Sequence, residues 1–317
     1  MSDACGEPSR AGWIRLTPDY SGALVEFLMA EEYRCVALSE RLKRWVDRGE
    51  SGGRLRGMDG NRPWIHRRGM FPSAESVAQT PGFIDGAALL QQDGAGLCIL
   101  PASEEGVREF VSVADAGGAL SSLIGPGEDL DRVAAILASA PSEARKYLLM
   151  RFSPPSPSGV LSESGFSGAK IAARKGGIEI RRATLRDFSS LCSLHEAYEK
   201  EEIRSRQLLF AASLPERIIR ILRKQIAVVA IIDGKVVGKA NTNARGLGID
   251  QLGGIYVSPE MRRRGLGSMM VENLVSLLAS LGRGVCLYVR SENEEARRLY
   301  IKLGFVDAGT YASYRFH

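Results

Sequence analysis

The stretch of this chain with the clearest chemical potential is YVSPEMRRRGLGSMMV, residues 256–271. A strand-like run ends in it, three consecutive arginines follow, and a helix-like run opens at glycines with the spacing Arg262-x-x-Gly265-x-Gly267. The first four N–H groups of a helix have no internal partner, and the helix dipole favours negative charge beside them. Glycines there let the backbone approach a phosphate without a Cβ in the way. Arg262, Arg263 and Arg264 add positive charge. Such an arrangement suits capture of a pyrophosphate. The bland alternative is a tight strand-to-helix turn flanked by solvated arginines. The segment is neither the GxxxxGK[ST] of NTPases nor the GxGxxG of dinucleotide folds.

A second segment, LYVRSENEEARRLYIKLGF, follows at residues 287–305. Taken together, Val257-x-Pro259-Glu260-x-Arg262-x-x-Gly265-x-Gly267 and the later Asn293, Ala296, Leu299-Tyr300 and Leu303-Gly304-Phe305 resemble the two hallmark segments of the GNAT superfamily of N-acetyltransferases. The resemblance covers residues 177–317. It implies acetyl-CoA as cosubstrate, an amine as acceptor, no metal, and direct attack in a ternary complex. Position by position, it implies that the backbone of Ile255, Tyr256 and Val257 holds the acyl and pantetheine arm like an added strand. The amides of Arg263, Arg264, Gly265, Leu266, Gly267 and Ser268 would cradle the pyrophosphate. Asn293 would hydrogen-bond the pantetheine, and Tyr300 would face the sulfur as the catalytic residue.

That role for Tyr300 has a chemical rationale. Attack of an amine on a thioester expels CoA as a thiolate, and a phenol with a pKa near ~10 is protonated at neutral pH and can donate to it. Asn293 and Tyr300 lie almost two helical turns apart, so both project from one face. Asn293 could instead be a plain helix N-cap, and Tyr300 a core aromatic. The acceptor amine must be neutral to attack, and many family members use a fourth-strand carboxylate for this. Here that stretch is Asp250-Gln251-Leu252-Gly253-Gly254, with Gln251 where Glu is often found. Asp250, Glu201 and Glu202 are the candidate bases, each of which could equally be a solvated surface group. An acyl-CoA-binding regulator without turnover is therefore the alternative function, and transfer to a hydroxyl or thiol would use the same cofactor site. Arg217, Arg220 and Lys224 share one helical face, expected to be solvated.

These residues need a scaffold, and hydrophobic periodicity supplies one. A strand is expected at 178–182, helices at 187–202 and 214–224, and a hairpin of 226–232 and 235–241 around Asp233-Gly234. Another strand is expected at 251–257, a long helix at 266–281, a strand at 284–289, a helix at 294–303 and a last strand at 305–316. The expected order β-α-α-β-β-β-α-β-α-β implies a mixed sheet with helices on both faces.

Residues 153–176 are rich in Pro, Ser and Gly and read as a linker. Residues 1–152 repeat the rhythm weakly, with strands at 14–16, 96–100 and 120–124, helices at 23–46, 104–114 and 129–139, and a closing strand at 145–152. Its IRLTPDY echoes IRRATLRDF at 180–188. The fold class is thus α/β, two GNAT-like domains in tandem, each a mixed central sheet flanked by helices, with 1–152 degenerate and 177–317 catalytic. The first half carries Glu104-Glu105 where a phosphate loop would need glycines and arginines, so no CoA is expected there.

Composition excludes several classes. The five cysteines are widely spaced and the three histidines lack ligand spacing, so neither a disulfide framework nor a zinc site is expected. Cys98 and Cys286 sit in apolar runs and read as small buried hydrophobes. The longest apolar run, residues 226–232, is far shorter than the roughly 20 residues of a membrane span. No signal pattern opens the chain, which makes a cytoplasmic protein the default. The net charge of +5 suits an anionic cofactor, and nothing points to nucleic acid. Oligomeric state is left open.

Overall fold

A computed structural model of the chain describes residues 12–49, 62–68, 82–91, 93–116, 120–137, 140–153, 172–175, 177–202 and 213–316. They fall into two compact units, 1–149 with 308–317 and 150–307.

The first unit opens with β1 (Gly12–Arg15) and a long helix α1 (Ser21–Gly49), broken at Cys35, whose φ of −144° is not helical. Then come β2 (Arg62–Arg67), β3 (Ile84–Leu90) and β4 (Ala95–Ile99). Helix α2 (Glu104–Ala116), β5 (Ser122–Pro126), α3 (Gly127–Ile136) and β6 (Glu143–Phe152) follow. β1 to β4 pair antiparallel in chain order, and β4 pairs parallel with β5 across α2. Strands β2 and β3 went unforeseen. RPWIHR carries charge at both ends and does not alternate cleanly, while IDGAALL is buried on both faces and so lacks alternation as well.

The core of this unit gathers Trp13, Phe110, Leu123, Leu130 and Val133 with Tyr314 and Phe316. Trp13 Nε1 donates to the Gly106 carbonyl at 2.7 Å, which satisfies the one polar group that the indole brings inside. Tyr314 lies in the final strand and Phe316 directly follows it; that strand pairs antiparallel with β5 from Tyr311↔Pro126 to Arg315↔Ser122. The sequence reading put residues 308–317 in the second domain; the structure counts them with the first unit, because their apolar side chains complete its core.

The second unit begins with β7 (Ala172–Lys175) and β8 (Ile178–Arg182), paired antiparallel. The end of the expected linker is therefore a strand, and its Pro-rich part lies outside the described residues. Helices α4 (Phe188–Glu202) and α5 (Leu214–Lys224) lead to β9 (Ala227–Ile232), β10 (Lys235–Arg245) and β11 (Ile249–Val257). Next come α6 (Leu266–Ser280), β12 (Gly284–Arg290), α7 (Glu294–Lys302) and β13 (Phe305–Arg315). The strand order within this unit is β12-β11-β10-β9-β8-β7. β11 and β12 run parallel on either side of α6, as β4 and β5 do on either side of α2. The same strand-helix-strand unit thus recurs in each half.

Phe316 is 7% exposed within the first unit's core. Phe316→Ala should therefore cost about 3–5 kcal/mol there. Hydrogen exchange is the check: peptides from β4, β5 and α2 should lose protection while those from β9 and β10 keep theirs.

Candidate functional site

The glycine-arginine loop leaves β11 at Val257 and enters α6 at Leu266. Two left-handed residues shape it, Arg263 at φ 61° and Gly265 at φ 77°. Left-handed backbone costs a non-glycine residue energy, so Arg263 marks a point where the turn overrides local preference. Gly265 caps α6 without any side-chain hydrogen bond. Among the described residues, the next backbone amide after Arg262 to find a partner is Met269, which donates to the Gly265 carbonyl at 3.0 Å. The amides from Arg263 to Ser268 therefore form a concave, unpartnered donor surface at a helix start, the geometry of an anion nest. A Cβ on Gly267 would meet only Leu299 Cδ2, at 3.9 Å, so the surface is open. Leu266, Met270, Val271, Leu274, Val275 and Leu278 are buried and fix α6 in place.

Of the three arginines, Arg263 and Arg264 are exposed and stay available. Arg262 turns back. Its Nε donates to the Val257 carbonyl at 3.0 Å, its Nη2 donates to Glu201 at 2.7 Å, and its guanidinium lies 5.4 Å from the Tyr256 ring centre. Its charge is thus already met.

Beside the loop, β11 departs from its partners. Its parallel pairing with β12 runs only from Ile249↔Gly284 to Leu252↔Leu287. Residues 253–257, including Ile255, Tyr256 and Val257, have no partner in β12. On the other side Gly253 opposes Asn241 and Tyr256 opposes Lys239, so Gly254 and Ile255 face the single residue Ala240. This is a β-bulge, with Gly254 at φ 57°. A Cβ on Gly254 would come within 2.5 Å of Asn241 Oδ1 and 3.0 Å of Lys239 Nζ, so only glycine fits.

Asn293 is the N-cap of α7, its Oδ1 accepting from the Ala296 amide at 3.0 Å. Its Nδ2 has no partner among the described residues and remains a spare donor. Tyr300, on the same helix, is 8% exposed and meets Phe305 edge-on at 5.9 Å between ring centres.

The candidate bases are mostly committed elsewhere. Asp250 is fully buried and clamped by Arg283, Nε to Oδ2 and Nη2 to Oδ1, both 2.8 Å. It is not a solvated carboxylate, and its lone pairs point at a cation. Glu201 accepts from Tyr256 Oη at 2.7 Å as well as from Arg262. Those two bonds, Tyr256 first, hold its carboxyl below the usual range. Gln251 is buried on β11. The side chain of Glu202 lies outside the described residues.

Against the α4 side of the bulge sits a polar cluster the sequence did not announce. Arg217, expected on a solvated face, is buried and donates to Glu199 at 2.7 Å; Arg220 and Lys224 are exposed as expected. His195 Nε2 lies 3.5 Å from Glu199. Burial, with the charges of Lys239 and Arg217, pushes the His195 pKa down to about 3, so the ring is neutral. Lys239 is 2% exposed, donates to the Gly254 carbonyl at 2.8 Å and lies 4.9 Å from the Tyr198 ring centre. Burial lowers its pKa to about 7, against the pull of Glu199. The only advance sign was a lysine followed by Asn241 and Asn243 at every second position, a pattern normally read as a solvated strand face.

Comparison with known proteins bears on this geometry. A family model described as FR47-like protein matches residues 228–315, which contain the hairpin, the loop and α7. No curated protein matches the chain in sequence. Among solved structures, a tandem GNAT protein from the clavulanic acid biosynthesis pathway aligns over 96% of this chain and 97% of its own, at 13% identity and a TM-score of 0.53. The chain carries the GNAT fold, in tandem. A Drosophila protein aligns over 96% of this chain and 98% of its own, at 15% identity and a TM-score of 0.60. At such identities the likeness is one of fold. Among the described residues, no cluster of three or more metal-ligating side chains occurs, and no helix is long and apolar enough to cross a membrane.

Lys239 gives a pH prediction for this GNAT unit. Unfolded, a lysine keeps its proton to about pH 10.4. Folded, Lys239 loses it near pH 7. Between these values the unfolded chain binds more protons, so stability rises with pH by up to about 1.4 kcal/mol per pH unit. Glu199 and His195 lie in the field of the same ammonium. Denaturant unfolding at pH 7 and 9 should show the rise in wild type and its loss in Lys239→Met.

Proposed function

We propose that the second unit is an acyltransferase that moves an acetyl group from acetyl-CoA to an amine. The observation that carries this reading is the adjacency of two unsatisfied backbone surfaces. The amide nest at Arg263–Ser268 suits a pyrophosphate, and the unpaired stretch 253–257 of β11 suits an amide-bearing arm that adds like a strand. A pantetheine pyrophosphate has both features in that order. Asn293 Nδ2 supplies a further donor toward such an arm. GNAT folds support the general role; the acetyl group, the amine and the residue roles are this proposal's own.

In this reading the neutral amine attacks the thioester carbon, the C–S bond breaks, and the thiolate leaves. Tyr300 Oη gives its proton to the sulfur and the amine's proton passes to solvent. With Asp250 and Glu201 both committed, an acceptor of low amine pKa, such as an α-amino group near ~8, is favoured over a lysine side chain. The same commitment supports a second reading, a protein that binds acyl-CoA without turnover. Thiol release in the presence of an amine panel separates the two.

The first unit is proposed to bind no CoA. Its α2 begins with Glu104 and Glu105. A cavity of about 570 Å³ in it is lined by Glu26, Glu31, Asp85, Glu128 and Asp129 among others, while Arg34 and Arg68 are ion-paired to carboxylates and Arg132 donates to backbone carbonyls. Calorimetry should give one acetyl-CoA per chain. At ~100 times its Kd the ligand should add about 2.7 kcal/mol of stability, seen as a higher melting temperature. Gly267→Asp should abolish that shift and leave the ligand-free melting temperature unchanged, since the position is open; binding by the variant would move the phosphate site elsewhere.

Tyr300→Phe keeps the ring packed on Phe305 and removes one oxygen. A proton donor predicts losses in kcat and kcat/KM together, on the order of 10²–10⁴-fold, with acetyl-CoA affinity retained. Near-normal kcat in a folded variant would reassign the proton to water.

A further inference from the structure

We propose that Lys239 is a positioning residue for the acyl group: through the Gly254–Ile255 peptide it aims and strengthens the backbone donor that receives the thioester oxygen. The inference rests on the acyl-CoA reading above and goes beyond it, because Lys239 belongs to β10, on the other edge of β11 from the one β12 leaves unpaired.

Lys239 Nζ donates to the Gly254 carbonyl at 2.8 Å. That carbonyl and the Ile255 N–H belong to one trans peptide unit and point in opposite directions. Fixing the carbonyl toward Lys239 therefore turns the Ile255 N–H away from it, in the part of β11 that β12 no longer pairs. Ile255 is also one of the two bulge residues without a counterpart of its own in β10. The Lys239 donor on the carbonyl end polarises the peptide and makes its N–H a better donor, an effect enlarged where water is excluded and strongest below about pH 7, where the amine keeps its proton.

The surroundings make the arrangement rigid. Asn241 Nδ2 donates to the Thr242 carbonyl and to Asn243 Oδ1, both at 3.0 Å, so Asn241 cannot swing away from Gly254. Tyr198 covers the ammonium. Glu199 balances its charge from a distance while remaining bonded to Arg217. A strand-embedded lysine whose hydrogen bond, among the described residues, goes to a backbone carbonyl is an expensive way to stabilise a sheet, since a desolvated ammonium recovers only part of its hydration from a carbonyl and a ring face. Methionine would fill the same volume without that cost. The lysine's value lies in what the polarised peptide does on its far side.

The test compares acetyl-CoA with CoA, which lacks the thioester oxygen, and so needs no acceptor. Calorimetry on wild type should show acetyl-CoA bound more tightly than CoA by roughly 2- to 10-fold, the range of one net hydrogen bond. Lys239→Met should bring that ratio near one while CoA affinity holds and the melting temperature is kept or raised. A purely structural lysine predicts the reverse, a lower melting temperature with the ratio kept. An unchanged ratio in the variant overturns the proposal and leaves the acyl-CoA site standing. Equal affinities in wild type also overturn it, because no donor then meets the oxygen. If wild type binds neither ligand, the acyl-CoA reading itself has failed. Should the Met variant not fold, Lys239→Gln takes its place, read by isotope-edited infrared of bound acetyl-CoA. The thioester carbonyl stretch should lie below its value in water for wild type and return toward it in Lys239→Gln; a stretch as low as wild type overturns the role.

Discussion

A strand inside a sheet has hydrogen-bonding groups on both edges, and each must find a partner in protein, water or ligand. In β11 no strand meets that requirement on one side after Leu252, where β12 stops pairing. The rest of the second unit is arranged around this defect. The bulge at Gly254 and Ile255 absorbs the change in register on the β10 side. The loop beyond Val257 carries a second row of unpartnered amides, and α6, with its buried apolar face, anchors both to the sheet. An elongated ligand with amides at one end and phosphates at the other would restore the missing bonds along the whole path.

Buried charge secures this open edge. The Arg283–Asp250 pair sits where β11 and β12 are still joined. Arg283 also reaches the carbonyls of Leu247 and Gly246, at 3.0 and 2.9 Å, so one guanidinium ties the β10–β11 turn to the root of the parallel pair. Such a pair fixes register rather than adding net stability, because its attraction is spent on desolvation. At the far end Arg262 does similar work: it joins the Val257 carbonyl, the Tyr256 ring and Glu201, and so couples α4 to the loop. Between these two locks lies the stretch proposed to receive the acyl arm.

What could be read from residues alone follows the range of the physics involved. The glycine-arginine loop was legible because a helix start and its glycines are local, and α6, α7 and the Asp233-Gly234 hairpin were legible because each is a short-range pattern. The Asn293 cap was likewise local, and the structure shows it beside a spare side-chain donor. Lys239, His195 and Arg217 were hidden because burial depends on what packs above. Arg217 lies on a face whose neighbours in the helix are polar, yet Glu199 of another helix covers it. Asp250 reads as a free carboxylate until Arg283, thirty-three residues on, is placed against it. The last strand looked like the end of its own domain, since adjacency in sequence could not reveal that Tyr314 and Phe316 fill the first unit's core.

The two halves show two ways in which the same strand-helix-strand unit can answer the helix dipole. α6 begins with bare amides preceded by arginines, so its positive end is left for an anion from outside. α2 begins with Glu104 and Glu105, carboxylates of its own chain. They neutralise the helix terminus internally, and the serine before them accepts from the Gly106 amide at 3.2 Å. That satisfies the helix as well as a phosphate would and needs no ligand. The fold is indifferent to which solution is used. Stability is met in both cases; in the second unit the exposed helix start leaves its amides to water or to an anion from outside.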